Sequence, residues 1–100
     1  MDLRLHQAFF SAVRSGDVEA VRAVVDSADG LASLAGAQAE GGETALYIAA
    51  EGNMEELFCY LLPLYTLETA TIRSRLDLDA FHVAAKYGHT GNFAFFFHLF

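Results

Sequence analysis

Asp79-Ala80-Phe81-His82-Val83-Ala84-Ala85-Lys86-Tyr87-Gly88-His89 is the stretch whose reading decides the fold. Laid over the rest of the chain, it aligns without a gap with Thr44-Ala45-Leu46-Tyr47-Ile48-Ala49-Ala50-Glu51-Gly52-Asn53-Met54. Both align with Gln7-Ala8-Phe9-Phe10-Ser11-Ala12-Val13-Arg14-Ser15-Gly16-Asp17. The landmark alanines Ala12, Ala49 and Ala84 stand 37 and 35 residues apart, a period that marks stacked helical repeats. Each copy is followed at matching offsets by an apolar set: Val21, Val24 and Val25, then Phe58, Leu61 and Leu62, then Phe93, Phe96 and Phe97.

Local chemistry makes each copy a helical hairpin. In the second copy Thr44 is placed to cap a helix, and Leu46, Ala49 and Ala50 recur at helical spacing. Asn53 falls where a left-handed residue would stop that helix. Gly16 and Gly88 occupy the same stop in the other copies, where a positive φ carries no Cβ penalty. Asp17 then opens the second helix of its copy, with Glu19 in the first turn, where a carboxylate faces the positive end of the helix dipole. The alanines Ala12, Ala49, Ala50, Ala84 and Ala85 let neighbouring hairpins approach closely, while branched and aromatic side chains of the second helices fill the space between them.

This reading divides the chain into repeats at about 5–28, 42–66 and 77–100, joined by loops at 29–41 and 67–76. The first loop collects Asp29-Gly30, Gly36 and Gly41-Gly42, a breaker-rich run. The second follows Pro63 and holds Leu67-Glu68-Thr69-Ala70-Thr71-Ile72-Arg73, read as one further helical turn before Ser74-Arg75-Leu76-Asp77 turns into the third copy. The fold class is all-α, a single solenoid domain of about three helix-turn-helix repeats.

Composition narrows the function. With 54% hydrophobic residues and one proline in 100 residues, a buried helical core is expected. The formal charge of −7, from 13 acidic against 6 scattered basic residues, repels a phosphate backbone, so nucleic acid is not expected as a partner. No apolar run reaches the roughly 18–20 residues of a membrane helix, and residues 1–6 lack the apolar core of a secretory leader. The single cysteine, Cys59, sits among Phe58, Tyr60, Leu61 and Leu62 as a small hydrophobe, which fits a reducing compartment.

Gly42-Glu43-Thr44-Ala45-Leu46-Tyr47-Ile48-Ala49-Ala50 and the segment Asp79 to His89 resemble the ankyrin repeat, with its Thr-Pro-Leu-His-x-Ala-Ala and Gly-His elements. Residues 39–89 further resemble the N-terminal ankyrin region of plant ankyrin-repeat membrane proteins. That resemblance implies cytoplasmic repeats used as interaction surfaces in stress and defence signalling, in relatives anchored to a membrane by later helices. The chain departs from the pattern in several places. Alanine stands for proline at Ala8, Ala45 and Ala80, Tyr47 stands for histidine, and Asn53-Met54 for Gly-His. After Gly91 the run Asn92-Phe93-Ala94-Phe95-Phe96-Phe97-His98-Leu99-Phe100 puts phenylalanine where a second helix should alternate apolar and charged faces. This is read as a truncated or alternatively spliced form.

No catalytic residue, cofactor site or metal site is expected. His82 stands three residues after Asp79, yet the resemblance implies a structural histidine that ties neighbouring turns together, and His89 the second such position. His6 and His98 lack ligand-spaced partners. No phosphate-binding glycine loop or nucleophile elbow is present. Glu55 and Glu56 read as a solvated first turn favoured by the helix dipole.

The expected function is therefore a non-enzymatic protein-interaction module. Repeat geometry puts loop tips and the open side of the first helices on one concave face. That selects Arg14, Ser15, Glu40, Gly41, Glu43, Glu51, Arg75, Leu76, Leu78, Lys86 and Tyr87 for a protein partner of unknown identity. Arg75, Lys86 and Tyr87 are the expected anchors, because arginine and tyrosine are enriched at hot spots. Glutamates on the second copy and basic residues on the third suit a partner carrying both charge signs. The alternative function is self-association, or pairing with longer relatives, through Phe93, Phe95, Phe96, Phe97 and Phe100.

Overall fold

The computed structural model describes residues 3–27 and 31–87, and every regular element among them is helical. These are α1 (Leu3–Ser15), α2 (Val18–Ser27), α3 (Leu31–Gly36), α4 (Ala45–Glu51), α5 (Glu55–Leu61), a 3-10 turn at Leu62–Leu64, α6 (Leu67–Ala70) and α7 (Ala80–Lys86). The hairpins α1–α2 and α4–α5 stack side by side, and α7 continues the row of first helices by packing on α4, as α4 packs on α1. The second helices α2 and α5 form the other layer, and α3 packs on the 3-10 turn. This is the all-α repeat solenoid read from the sequence.

The stops and starts follow the side chains expected to make them. Gly16 adopts φ +73° and its N–H donates to Val13 O at 3.0 Å. Asp17 then accepts from the N–H groups of Glu19 (3.1 Å) and Ala20 (3.3 Å), satisfying two of the orphan donors of α2. Thr44 caps α4 by accepting from Tyr47 N–H at 3.2 Å. Asn53 ends the α4 turn at φ +53°, and Met54 N–H reaches back to Ala49 O at 2.9 Å.

Packing is closest where side chains are smallest. Ala45, Ala49 and Ala50 are fully buried between α1 and α7, and Ala80 and Ala84 are almost so. Ala85, expected in that contact, is exposed. From the second layer Val21, Leu57, Phe58, Leu61 and Leu62 close the core, each contributing roughly 1.5–3 kcal/mol on burial. The matching Phe93, Phe96 and Phe97 of the third copy lie outside the described residues, as do Gly88, His89 and His98.

The connections hold more structure than their composition announced. The segment read as a loop over 29–41 contains α3, whose Leu34 and Ala35 are buried. Six residues are too few to show a helical period, and burial against the 3-10 turn is what holds them. The expected turn after Pro63 is α6, closed by a capping box in which Thr66 and Thr69 satisfy each other's backbone N–H groups. Between the 3-10 turn and α6, Tyr65 turns inward and its hydroxyl accepts from Leu46 N–H at 3.3 Å, tying the connection to the start of α4. Burial pushes the Tyr65 phenol up to about 12, against the pull of hydrogen bonds from Leu46, Thr44 and Ala45.

Two tight fingers precede the first helices of the second and third copies. In residues 39–43, Ala39 N–H donates to Glu43 O (2.8 Å) and Gly42 N–H to Ala39 O (2.9 Å). In residues 74–78, Ser74 N–H donates to Leu78 O (2.8 Å) and Asp77 N–H to Ser74 O (2.9 Å). The equivalent residues Gly42 and Asp77 both take positive φ, +84° and +62°. Arg75 N–H donates to Gly41 O at 2.9 Å, so the fingers are bonded to each other through the backbone.

Two stability measurements check this architecture. A Cβ at Gly42 would lie 3.0 Å from Arg75 N, at a φ that L-residues avoid, whereas Gly36 has open space around it. Gly42→Ala should therefore lower stability by about 1–3 kcal/mol in a urea titration followed by circular dichroism, and Gly36→Ala should raise it by up to about 1 kcal/mol. The second concerns Tyr65. The unfolded chain releases its phenolic proton near pH 10 and the folded chain only near 12, so this contribution is complete below pH 10 and is lost between about pH 10 and 12. Urea midpoints should fall across that interval, and fall less steeply in Tyr65→Phe.

Candidate functional site

The inner face of α1 and the approach to the first finger enclose an open cleft of about 680 Å³, lined by His6, Gln7, Phe10, Ser11 and Arg14 on one side and Gln38, Ala39 and Glu40 on the other. The helix wall follows from spacing: His6, Phe10 and Arg14 recur every four residues, as do Gln7 and Ser11, so both sets share one face. The His6 and Phe10 rings lie 4.9 Å apart, and the Arg14 guanidinium sits 5.8 Å above the Phe10 ring. That stacking holds Arg14 along the wall and leaves its charge facing the cleft. The loop wall is held by Gln38, whose Nε2 donates to Gly42 O (2.7 Å) in the first finger and to Arg73 O (3.2 Å) just before the second.

Of the residues expected from sequence, Arg14 and Glu40 line this cleft. Gly41, Glu43, Arg75, Leu76 and Leu78 lie in the paired fingers. Arg75 is exposed and Leu76 is 69% exposed at the tip of its finger, whereas Gly41 and Glu43 are half-buried and Leu78 packs against the core. Ser15 lies at the end of α1 with its hydroxyl donating to Ala12 O at 2.7 Å, which makes it part of the turn. Glu51 and Lys86 close α4 and α7 in the position that Arg14 holds in α1, and Tyr87 follows Lys86 with its ring under the ammonium group at 5.7 Å. Of the expected residues, the structure thus brings Arg14 and Glu40 into one cleft, while the exposed Glu51, Arg75, Leu76, Lys86 and Tyr87 lie at the end of α4, on the second finger and at the end of α7. His6, Gln7, Phe10, Ser11 and Gln38 were not among the site residues expected from the sequence; the four-residue spacing in α1 was the signal for the first four.

Among the described residues, His82 makes no hydrogen bond to a neighbouring turn of the kind that the resemblance implied. Its Nδ1 lies 2.6 Å from Asp79 Oδ1, within the first turn of its own helix, and its side chain is 66% exposed. The same Asp79 oxygen accepts from the N–H groups of Phe81 (3.0 Å) and His82 (2.9 Å), so the carboxylate is committed to capping α7. Cys59 is half-buried, and burial with the nearby Glu55 carboxylate pushes its thiol up, which keeps it in the less reactive protonated form. Among the described residues no group of three or more His, Cys, Asp and Glu side chains converges as metal ligands, and no helix is long and apolar enough to cross a membrane.

No family model matches the chain. It is similar to two ankyrin repeat-containing proteins of Arabidopsis thaliana. One is 46% identical over 103 aligned residues, which cover 91% of this chain and 19% of the relative. The other is 35% identical over 81 residues, covering 79% of this chain and 16% of the relative. The chain thus spans about a fifth or less of the length of the curated relatives it matches.

The cap geometry at Asp79 sets an expectation for the histidine beside it. Asp79→Ala should cost about 1–2 kcal/mol in chemical denaturation, because two backbone donors of α7 lose their acceptor. His82→Ala should stay within about 0.5 kcal/mol of the parent, since the exposed imidazole adds only a surface contact to an already capped helix.

Proposed function

The chain has the ankyrin-repeat fold, and from that premise we propose that it is a non-catalytic protein-interaction module that holds its partner on the concave band from α1 to α7. The observation that carries this reading is the cleft beside α1, continued by the exposed ends of α4 and α7 and by the finger tips. The stacked backbone makes such a surface rigid, so little ordering cost falls on this side of a complex. The named Arabidopsis relatives support an interaction role, as does a band that offers arginine, tyrosine and leucine side chains instead of a paired nucleophile and base.

In the finer reading, the module works on the cytoplasmic side of a plant cell in stress or defence signalling, with Arg75, Lys86 and Tyr87 as anchors within the set Arg14, Ser15, Glu40, Gly41, Glu43, Glu51, Leu76 and Leu78. A second role, self-association through Phe93, Phe95, Phe96, Phe97 and Phe100, rests on the sequence of that segment alone.

Joint replacement of Arg75, Lys86 and Tyr87 by alanine should reduce capture of a specific protein from a plant extract by at least about tenfold, with an unchanged circular dichroism spectrum. Undiminished capture would move the binding surface off this band. Deletion of residues 92–100 should leave capture intact and convert any oligomer seen by light scattering to monomer; loss of capture there would favour the second role.

A further inference from the structure

The three gapless copies put Arg14, Glu51 and Lys86 at one repeat position, two residues before the stops at Gly16, Asn53 and Gly88. Because α1 packs on α4 and α4 on α7, these side chains form a row across the first helices, positive, negative, positive. All three are exposed. No opposite charge among the described residues lies within ion-pair distance of any of them; the ion pairs there are Arg73 with Asp77 and His82 with Asp79. Instead, the two cations rest on aromatic rings, Arg14 over Phe10 and Lys86 over Tyr87, which position a charge without neutralising it.

We propose that this row reads a polypeptide segment carrying an acidic, a basic and an acidic side chain at every third position, bound in polyproline II conformation across the first helices. The inference rests on the interaction role above and adds the chemistry of the partner. Neighbouring packed helices lie about 8–10 Å apart. A polyproline II segment has three residues per turn and a rise of about 3.1 Å per residue, so one face returns about every 9 Å. A β-strand puts the first and fourth residues on opposite faces, and an α-helix covers the same distance only in about six residues. Polyproline II therefore matches the spacing with the shortest repeat and with all three charges facing the protein. Its backbone is preformed, which lowers the ordering cost of a short segment. A charge row of this kind acts mainly on register and specificity, since exposed pairs are individually weak.

The test uses two fluorescein-labelled peptides on the full chain, Asp-Pro-Pro-Lys-Pro-Pro-Asp and its charge reverse Lys-Pro-Pro-Asp-Pro-Pro-Lys, with binding followed by fluorescence anisotropy in low salt. The native chain should favour the first by at least about tenfold, and the preference should shrink several-fold at about 0.5 M salt. The triple variant Arg14→Glu, Glu51→Lys and Lys86→Glu should favour the second. The single variant Glu51→Lys, the milder change, should favour an all-acidic Asp-Pro-Pro-Asp-Pro-Pro-Asp peptide. Equal binding of the peptides by the native chain, or a preference unmoved in both variants, overturns the charge row. If capture from the extract still depends on Arg75, Lys86 and Tyr87, only the row falls; if that dependence is also absent, the concave-band reading falls with it.

Discussion

The close approach of α1, α4 and α7 is the constraint on which everything else depends. It is set by side chains that are nearly absent. Ala45, Ala49 and Ala50 on α4 and Ala80 and Ala84 on α7 are almost fully buried, and side chains this small let the helices approach closely. At that separation the preceding fingers come into bonding range, and Arg75 N–H reaches Gly41 O. A larger side chain at Ala49 would push α4 from its neighbours, and the displaced hairpin would break the finger contact as well.

The layer behind is fastened from the connections as much as from the helices. Tyr65 lies outside every helix, yet its buried ring fills the core and its hydroxyl serves the first turn of α4, where a backbone donor has no helical partner. Thr44 serves the next such donor at Tyr47. The start of α4 is thus held by a cap from its own segment and by a residue nineteen positions away. Because each repeat of a solenoid leans on its neighbours, a tie of this kind within one repeat steadies the hairpin on which the adjoining repeats pack.

The same repetition produces the proposed binding surface. Positions facing neighbouring helices are apolar and small, while positions facing away are free to vary, and here they carry Arg14, Glu51 and Lys86 along with Arg75 and Leu76 at the second finger. The cleft beside α1 is lined by Gln38, whose amide bonds Gly42 in the first finger and Arg73 just before the second and so holds the loop wall in place. Surface and scaffold are therefore two faces of the same helices, and charge can change on one face without disturbing the packing of the other.

The first two helical hairpins, their stops at Gly16 and Asn53, the caps at Asp17 and Thr44 and the stacking of alanine faces were legible in the sequence. Each of these depends on residues within a few positions of one another, repeated at a constant period. The short helix α3, the inward turn of Tyr65, the bridging role of Gln38 and the exposure of Ala85 were not legible, since each is decided by what lies across a distance that no local pattern records. His82 shows the boundary between the two: its place in the repeat was readable, but only the tertiary structure shows that Asp79, committed to capping α7, also takes its imidazole. By itself the sequence determined the repeat and the side of each helix that must be buried, because periodicity and turn chemistry act over one or two turns of backbone. Only the tertiary structure decided which exposed residues share a cleft, because that depends on the separation of helices that the buried alanines set.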